Sequence, residues 1–513
     1  MHWSNFIPAL AASFIPSTYA LFETTYHSTS LAIQPFTVLE RSPTYDPDNS
    51  TLFLVCPAGV AQPGPVIYKS TGELVWADPT LGGCDDLNYQ TFEGEGHLTL
   101  WVGSGLAGSG AQVGSGFALI LNNQYEVIRN ISAVNPDNTD LHEFKIPGPN
   151  NDTALLTAYN PVPLDLSSIG GPVDGWYLNS LIQEVDIATG RVIFNWSSVD
   201  HIALTESFNN ITISKTGTSQ ANPWDAVHIN SIDKDSAGNY LISSRHCKTI
   251  YKISRNGTII WRLGGHLTDF TPIGNETFFN WQHHARWRNN ETQISLFDDG
   301  AAVLPGEDVV NEVVASGKFL IVDEAAMTVE LAKRYLPSPN SAYSLAEGST
   351  EPYGDTVVVG YGLHPWVTVH DASTQDVIFS AVIGPNASVT GVSNYRVFQT
   401  STDVFVGRPS APPSVAIVNG NTTTTNNTTT TIYVSWNGAT HVASYTALTG
   451  DNSAAVQRKV VNVPKSGFET AVSVSTESLS AYVAVEALDS GGKVLGRSKV
   501  YGTGDGGVVG DIM

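Results

Sequence analysis

Short apolar runs alternate with turn-forming residues along most of the chain, in a pattern typical of β-hairpins. Each unit has an apolar alternating run, a turn rich in Asp, Asn, Ser or Gly, and a second apolar run that often carries Trp or Phe. Six such hairpins are predicted, over residues Val66–Trp76, Ala118–Ile128, Leu181–Phe194, Thr249–Trp261, Phe319–Leu331 and Trp366–Phe379.

The hairpins recur about every 50 to 70 residues, as the blades of a β-propeller with inserted loops do. This spacing predicts an all-β fold with a six-bladed β-propeller over residues 21–405. The alternative is an irregular array of β-sandwiches. Trp76 and Trp261 recur at equivalent hairpin positions and Trp196 lies close to one, which predicts packing between blades rather than substrate stacking.

The sequence pattern changes from Pro409, where a second and smaller β unit is predicted to begin. We predict a β-sandwich over residues 406–505, because Trp436 lies on an early strand and an alternating Tyr482–Ala487 strand follows late. The unit resembles a fibronectin type III-like domain. Residues 419–431 are an Asn/Thr-rich low-complexity run, which predicts a loop or part of the linker.

The first twenty residues have an apolar middle interrupted by Pro16, with Thr18 and Ala20 at small-residue cleavage positions. We expect residues 1–20 to be a secretory signal peptide, and the chain to be secreted or to lie in the lumen of the secretory pathway. Sequons for N-glycosylation support this expectation. They begin at Asn49, Asn130, Asn151, Asn195, Asn210, Asn256, Asn275, Asn290, Asn386, Asn421, Asn426 and Asn427.

Composition narrows the classes of partner. The 513 residues are 42% hydrophobic and carry a formal charge of −23, which argues against non-specific binding to nucleic acid or to anionic membranes. No further run of about 18 apolar residues predicts a membrane span. In an oxidising compartment Cys56 and Cys84 are predicted to form a disulfide, leaving Cys247 free. No Cys/His spacing indicates a metal site, and no cofactor is predicted.

Histidines and arginines concentrate near predicted element ends in one all-β stretch. The segment with Asp225, His228 and Asn230 is followed by Arg245-His246 and then by His283-His284-Ala285-Arg286. Imidazole and guanidinium together suit an oxyanion such as sulfate, phosphate or carboxylate. A further polar group, Asp140 with His142 and Glu143, predicts either a carboxylate that orients a catalytic imidazole or a hydrogen-bond network that fixes a blade.

These segments resemble the fungal branch of the arylsulfotransferase family over roughly residues 60–400. The motifs that carry the resemblance are Asp140–Phe144, Trp224–Ser231, Gly238–His246, Trp261–Gly265, Phe279–His283 and Ser295–Asp298. The resemblance implies a six-bladed propeller that acts on phenolic small molecules. Bacterial members move a sulfuryl group between phenols through a sulfohistidine, without a nucleotide donor.

By this resemblance His228 and His283 are catalytic funnel histidines, and Arg245 binds the anion. His364 is the predicted nucleophile among the downstream histidines, ahead of His370 and His441. Substrate binding is assigned to Arg245, Asn230, Asp140, His142, His246, His284 and Arg286, although strand alternation directs His246 and His284 away from their stronger neighbours.

Two departures from the family pattern keep other functions open. The chain has His284 where the family often has Asp, and Lys318 follows Ser316-Gly317 where Ser-Arg-Gly is usual. Lysine supplies charge without the bidentate fork of arginine. One alternative is therefore a propeller that catalyses acid/base cyclisation, isomerisation or hydrolysis in secondary metabolism. The other is a non-enzymatic binding protein of the cell surface.

Overall fold

The computed structural model describes residues 22–105, 113–136, 138–311, 314–337, 344–419 and 429–504. The predicted signal peptide, over residues 1–20, lies outside these ranges, as do Asn421, Asn426 and Asn427. Within them the chain is almost entirely β. Six antiparallel sheets of four core strands each surround a common axis, and two smaller sheets follow them in the chain.

The six sheets are the blades of a propeller, so the predicted fold class is confirmed. Blade 1 contains Cys84–Phe92, Glu95–Gly105, Gly114–Leu121 and Val127–Ile131, from the axis outward. Blade 2 contains Phe144–Lys145, Thr153–Leu164, Gly175–Asp186 and Val192–Ser197. Blade 3 contains Ile229–Lys234, Tyr240–Ser244, Thr249–Ile253 and Ile259–Gly264.

The other three blades follow the same order. Blade 4 contains His283–Arg288, Gln293–Asp298, Ser316–Asp323 and Thr328–Tyr335, with Thr271–Ile273 added in parallel at its outer edge. Blade 5 contains Ser349–Tyr353, Thr356–Gly360, Trp366–Asp371 and Val377–Ile383, with Phe36–Arg41 outermost. Blade 6 contains Phe398–Ser401, Thr51–Val55, Val66–Lys69 and Leu74–Ala77.

Blade 6 closes the ring, because its innermost strand comes from the far end of the propeller sequence. Phe398 pairs with Leu54 and Ser401 with Thr51. The Cys56–Cys84 disulfide then joins the end of this blade to the first strand of blade 1. Both links span the seam at which the circle would otherwise open.

The six predicted hairpins are the third and fourth strands, counted from the axis, of the six blades. Tryptophans on the outermost strands pack against the neighbouring blade, which confirms the packing prediction. The ring of Trp76 stacks on Tyr125 at 4.6 Å, Nε1 of Trp196 donates to the carbonyl of Gly257, and Trp261 meets Trp287 edge to face. Blade-to-blade burial of these rings fixes the circular arrangement.

Two sheets after the propeller pack into a β-sandwich. The first sheet contains Ser414–Asn419, Thr429–Ser435 and Glu469–Ser475. The second contains Arg458–Pro464, Ser444–Gly450, Tyr482–Leu488 and Val494–Arg497. A short strand, Tyr501–Gly502, also pairs with Tyr482–Leu488. Asn437 exchanges two hydrogen bonds with the backbone of Ala77, and Phe468 joins a hydrophobic core of the propeller. The sandwich is therefore seated on the outer strand of blade 6.

Short elements complete the described part of the chain. Two-stranded pairings join Thr24–Thr25 to Ala32–Ile33, Pro57–Ala58 to Ser393–Asn394, and Ala301–Leu304 to Glu307–Val310. The 3₁₀ turns are Pro79–Leu81, Ser167–Ile169, Ser198–Asp200, Leu204–Glu206, Ser453–Ala455 and Thr476–Ser478, and the α-helix is Ile211–Ser214. In these ranges no helix has the length and hydropathy to cross a membrane.

Candidate functional site

Three carboxylate–histidine pairs meet at one end of the propeller axis, where the innermost strands begin. Nδ1 of His142 lies 2.6 Å from Asp140, and Nδ1 of His228 lies 2.6 Å from Asp225. The third pair joins Nδ1 of His283 to Asp299 at 2.7 Å. The pairs come from blades 2, 3 and 4, and every member is at least nine-tenths buried. We call these six residues and Arg245, His246, Glu347 and Tyr395 the histidine cluster.

The carboxylate beside Nδ1 fixes the tautomer and the orientation of each imidazole. A carboxylate beside Nδ1 selects the tautomer with the proton on Nδ1, so that Nε2 offers a lone pair. Among the described residues, no hydrogen bond engages Nε2 of His142 or His228. Burial, with the positive charge of Arg245 nearby, holds the pKa of His228 well below its usual range. His228 is therefore a neutral imidazole at neutral pH.

The rings of the cluster are in contact. The centroids of His142 and His228 lie 4.8 Å apart, and those of His228 and His246 lie 4.7 Å apart. The ring of Tyr395 lies 5.5 Å from His142 and 6.3 Å from His283. Residues from four blades and from the segment before the closing strand thus converge on one small volume.

Arg245 is the cation of the cluster. Its Nη1 donates to Nε2 of His246 at 2.9 Å and its Nη2 donates to the carbonyl of Leu345 at 2.9 Å. The Nε–H is buried and has no partner among the described residues. Nδ1 of His246 in turn donates to the carbonyl of Asp225 at 2.7 Å. Arg245 and His246 thus form one hydrogen-bonded unit beside His228.

Glu347 brings a fourth acidic group to the cluster, from the segment before the first strand of blade 5. Its backbone N–H donates to Nε2 of His283 at 3.3 Å, and its Oε2 is buried with no hydrogen-bond partner in the described part of the chain. Burial raises the pKa of Glu347 to about 7, and the Arg245 charge opposes that shift. Burial also raises the pKa of Asp225 and, more strongly, that of Asp299. These three acidic groups are thus held toward their neutral forms, whereas the pKa of Asp140 is lowered, since His142 and backbone N–H donors outweigh its burial.

Left-handed backbone conformations concentrate in and beside this cluster. His228, Lys248, Trp281, His284 and Glu347 have φ values between +49° and +70°, although none of them is glycine. Such conformations are unfavourable for residues with a Cβ and occur preferentially at functional sites. They aim consecutive side chains in directions that a regular strand does not allow.

An ion-pair network lies next to the cluster along the axis. Nη1 of Arg396 lies 2.8 Å from Asp86 and 3.3 Å from Glu143, while Nη2 of Arg286 lies 2.7 Å from Glu143. These four residues come from blades 1, 2 and 4 and from the segment that leads into blade 6. Arg396 also donates to the backbone carbonyls of His142 and Asn230, so the network supports the floor of the cluster.

The residues predicted from the sequence lie partly in the histidine cluster and partly in the ion-pair network or near it. Asp140, His142, His228, Arg245, His246 and His283 meet in the cluster, whereas Arg286 belongs to the ion-pair network. The side chain of Asn230 donates to the carbonyl of Gln282 and supports the strand next to His283. Nδ1 of His284 instead accepts from the backbone of Thr350, beside a small polar cavity lined by Lys145 and Arg288.

Several predicted residues lie at other places. His364 is half-buried in the loop before the third strand of blade 5, where its ring packs against Trp366. His370 bonds to Thr368 and to the carbonyl of Gln375 within the outer hairpin of that blade. Lys318 is fully buried against Asp298 at 2.6 Å. His364, His370 and Lys318 are therefore not part of the histidine cluster.

Strand alternation was the wrong basis for placing His246. The strand ends at Ser244, and Arg245, His246 and Lys248 lie in the turn that follows, where adjacent side chains need not oppose each other. Cys247 in the same turn is buried, and burial raises the pKa of its thiol to about 12, which disfavours a thiolate nucleophile.

Asp225, His228 and His246 place one potential metal-ligand atom each within 4.8 Å of one another. Their hydrogen bonds disfavour a cation there. Nε2 of His246 accepts from the Arg245 guanidinium and Nδ1 donates to a carbonyl, so neither nitrogen is left for a metal. The positive Arg245 beside the group would repel a divalent ion.

Sequence reasoning gave no role to Asp225, Asp299, Glu347 and Tyr395. Asp225 could have been found, because it precedes His228 by three residues in the quoted motif. Asp299 is sixteen residues from His283, and Glu347 is 64 residues from it. Contacts at such separations follow from the ring of blades and have no local signal in the sequence.

The model of the Arylsulfotransferase (ASST) family matches residues 88–383, more than half of the chain. No curated protein matches the chain in sequence. Among solved structures, a Bacteroides caccae protein of unknown function is 12% identical over 68% of this chain and 98% of its own, with a TM-score of 0.40.

Two further solved structures are similarly remote. A Lactobacillus plantarum protein is 10% identical over 68% of this chain and 99% of its own, with a TM-score of 0.35. Saccharomyces cerevisiae Sqt1 is 12% identical over 73% and 76%, with a TM-score of 0.30. Likenesses this distant carry no argument about function.

Proposed function

Because the chain belongs to the arylsulfotransferase family, we propose that it transfers a sulfuryl group between phenolic small molecules at the histidine cluster. The observation that carries the proposal is the set of three carboxylate–histidine pairs, two of which leave Nε2 without a hydrogen bond among the described residues. A positioned, neutral imidazole is the nucleophile that such a transfer requires. His228, rather than His364, is the proposed nucleophile.

The first half-reaction begins with attack by the Nε2 lone pair of His228 on the sulfur of an aryl sulfate. An N–S bond forms, the S–O(aryl) bond breaks, and its electron pair leaves with the phenolate, which then takes a proton. The imidazole becomes positive while it carries the sulfuryl group, and Asp225 at Nδ1 stabilises that charge. Arg245, through its unengaged Nε–H, is the proposed donor to the sulfuryl oxygens.

The second half-reaction returns the imidazole to its starting state. The oxygen of an acceptor phenol attacks sulfur, the N–S bond breaks, and its electron pair returns to Nε2. The acceptor must lose its proton in this step. His142, held by Asp140 with its Nε2 open, is the proposed base, since its ring lies 4.8 Å from that of His228.

A second candidate function is acid/base catalysis of cyclisation, isomerisation or hydrolysis, and the charges of the cluster favour it. Four acidic groups, Asp140, Asp225, Asp299 and Glu347, share the cluster with one arginine, so the cluster has little excess positive charge to bind the anion of an aryl sulfate. Burial raises the pKa of Glu347 to about 7, and its Oε2 has no partner among the residues that the structure describes, as a general acid or base at neutral pH would have. This chemistry would need no histidine adduct.

We also propose passage through the secretory pathway. The nine sequon asparagines within the described ranges are all exposed or half-buried, as glycan acceptors must be. The Cys56–Cys84 disulfide supports an oxidising compartment.

Intact mass spectrometry of the deglycosylated protein mixed with 4-nitrophenyl sulfate tests sulfuryl transfer. We expect a mass increase of one sulfuryl group that is absent in His228→Ala, retained in His364→Ala, and discharged by added phenol. Retention of the adduct in His228→Ala and its loss in His364→Ala would reverse the assignment of the nucleophile. A folded protein that forms no adduct and releases no 4-nitrophenol would leave acid/base catalysis as the better candidate.

A further inference from the structure

An apolar cleft of about 320 Å³ opens between blades 3 and 4, next to the histidine cluster. Its buried walls are formed by Leu263, Phe270, Phe279 and Val329, with Lys248 among them and Phe278 at the rim. We call these six residues the Lys248 cleft. Its volume lies within the range of small-molecule sites, which begins at roughly 300 Å³. Its walls can therefore enclose one or two aromatic rings.

Lys248 brings a positive charge into this cleft, and no carboxylate of the described residues forms an ion pair with it. Its Nζ donates to Oδ1 of Asn280 at 3.2 Å and to Oδ1 of Asn311 at 3.0 Å, and both partners are neutral amides. The rings of Phe208 and Trp281 lie 4.5 Å and 4.3 Å from the same nitrogen. Amides and ring faces solvate a cation, but they do not cancel its charge.

The carboxylate that acts on Lys248, that of Asp298, already forms an ion pair with another lysine. Burial lowers the pKa of Lys248 to about 8, so its ammonium group is still mostly charged at pH 7. Asp298 acts on Lys248 through space, but its Oδ2 lies 2.6 Å from Nζ of Lys318. As far as the described residues go, the cleft therefore keeps a positive character within a chain whose formal charge is −23. A buried cation that neutral groups hold in an apolar wall attracts an anion of complementary shape.

The rim adds a second, independent indication of a ligand. Phe278, which lines the cleft, is 66% exposed. An exposed large apolar side chain at an apolar pocket is typical of a binding site. It would extend the contact surface for the aromatic part of a ligand.

We propose that the Lys248 cleft is a second small-molecule site, which binds an aromatic monoanion such as an aryl sulfate or an aryl carboxylate. The aromatic ring lies against Phe279 and the rim, and the anionic group faces Lys248. The cleft supplies a lysine that no described carboxylate pairs with, whereas Arg245 of the histidine cluster lies among acidic groups. Trp281 separates the two sites, with Lys248 at 4.3 Å and Arg245 at 6.0 Å from its ring.

Equilibrium binding tests this site independently of any reaction. Isothermal titration calorimetry is carried out with 1-naphthyl sulfate and with neutral 1-naphthol, in a His228→Ala background that cannot form the proposed adduct. We expect the sulfate to bind more tightly than the naphthol. Lys248→Met should weaken sulfate binding about tenfold, the equivalent of ~1.4 kcal/mol, and remove the preference for the anion. The exposed Lys459→Met is the matched control and should bind as the parent does.

Phe278→Ser provides a second variant, because its exposed side chain can be shortened without opening the core. It should weaken both ligands several-fold while it preserves the preference for sulfate. Equal affinity for the two ligands in the parent, or parental affinity in folded Lys248→Met, would overturn the proposal. If Lys248→Met does not fold, parental affinity in Phe278→Ser overturns it and weaker binding supports it. Anion binding without sulfuryl transfer by the wild type would refute only the proposed function.

Discussion

Nδ1 of His228 lies 2.6 Å from Oδ2 of Asp225, only three residues earlier in the chain, and His228 adopts a left-handed φ of +53°. The unfavourable backbone angle is tolerated because the hydrogen bond and the surrounding blades fix the imidazole in one orientation. The same contact selects the tautomer that leaves Nε2 open. A backbone distortion, a short hydrogen bond and the proposed nucleophile are therefore parts of one local arrangement.

Asp225→Asn should slow the reaction while it preserves the fold. The amide retains the size of the side chain but can no longer stabilise a positive imidazole or fix its tautomer. We expect kcat to fall by ~10²-fold or more, a typical effect of losing positioned acid/base support. Steady-state turnover of 4-nitrophenyl sulfate measures the effect, and circular dichroism checks the fold. The exposed Asp165→Asn is the matched control, and undiminished turnover in Asp225→Asn would refute the role of the pair.

Glu347 should dominate the pH dependence near neutrality. Its pKa is raised to about 7 by burial, whereas burial keeps His228 neutral throughout this range. If Glu347 accepts a proton from substrate, kcat/KM should rise as the pH increases through about 7, and Glu347→Gln should remove that limb of the profile. A profile that is unchanged in a folded Glu347→Gln would show that another group titrates.

The same group predicts how stability depends on pH. The folded-state pKa of Glu347 lies above its ordinary value of 4.5, so between these values the folded protein binds more protons than the unfolded chain. Its contribution is therefore most favourable at low pH and is lost as the pH rises through about 7. Relative to Glu347→Gln, the wild type should lose stability between about pH 5 and about pH 8 in urea denaturation. A constant difference between the two proteins would contradict the shift.

The sequence predicted the outer parts of the blades better than the inner parts. Outer hairpins such as Val66–Trp76 pair residues close in sequence across turns with clear signals. The innermost strand of blade 6 pairs Phe398 with Leu54, and no local sequence pattern indicates a partner so far away in the chain. The same limit applies to the site, since His283 finds Asp299 and Glu347 only when blades 4 and 5 are assembled.

Chelators should leave the activity unchanged. Asp225, His228 and His246 are close enough to suggest a metal site, but both nitrogens of His246 are engaged and Arg245 adds a positive charge. We expect equal turnover before and after dialysis against EDTA, and no gain on adding Zn²⁺ or Mn²⁺. A loss of activity that added metal restores would show that the hydrogen bonds around His246 rearrange to admit a cation.

Glycans should occupy several sequons when the chain is produced in a eukaryotic secretory host. Asn130 and Asn195 lie exposed on the outermost strands of blades 1 and 2, where a glycan projects away from the axis. Treatment with peptide N-glycosidase should lower the mass and convert occupied asparagines to aspartate, which peptide mapping detects. An unchanged mass would contradict the proposed secretory route. Asn179, a buried asparagine outside any sequon, should remain unconverted and serves as the internal control.

Arg396 should be the most costly single cation to remove. It is fully buried, and it joins Asp86 of blade 1 to Glu143 at the start of blade 2 while it donates to the carbonyls of His142 and Asn230. Arg396→Met would leave two buried carboxylates with less compensation. Breaking a buried pair in this way typically costs about 3–5 kcal/mol.

Urea denaturation of Arg396→Met measures the cost, with the exposed Arg255→Met as its matched control. The double variant Arg396→Met/Asp86→Asn distinguishes the cause. Neutralising Asp86 removes one of the uncompensated charges, so part of the lost stability should return. If Arg396→Met is as stable as Arg255→Met, the network does not hold the blades together. If it is unstable and Asp86→Asn restores nothing, the hydrogen bonds of Arg396 to the backbone beneath the cluster contribute the stability instead of its ion pairs.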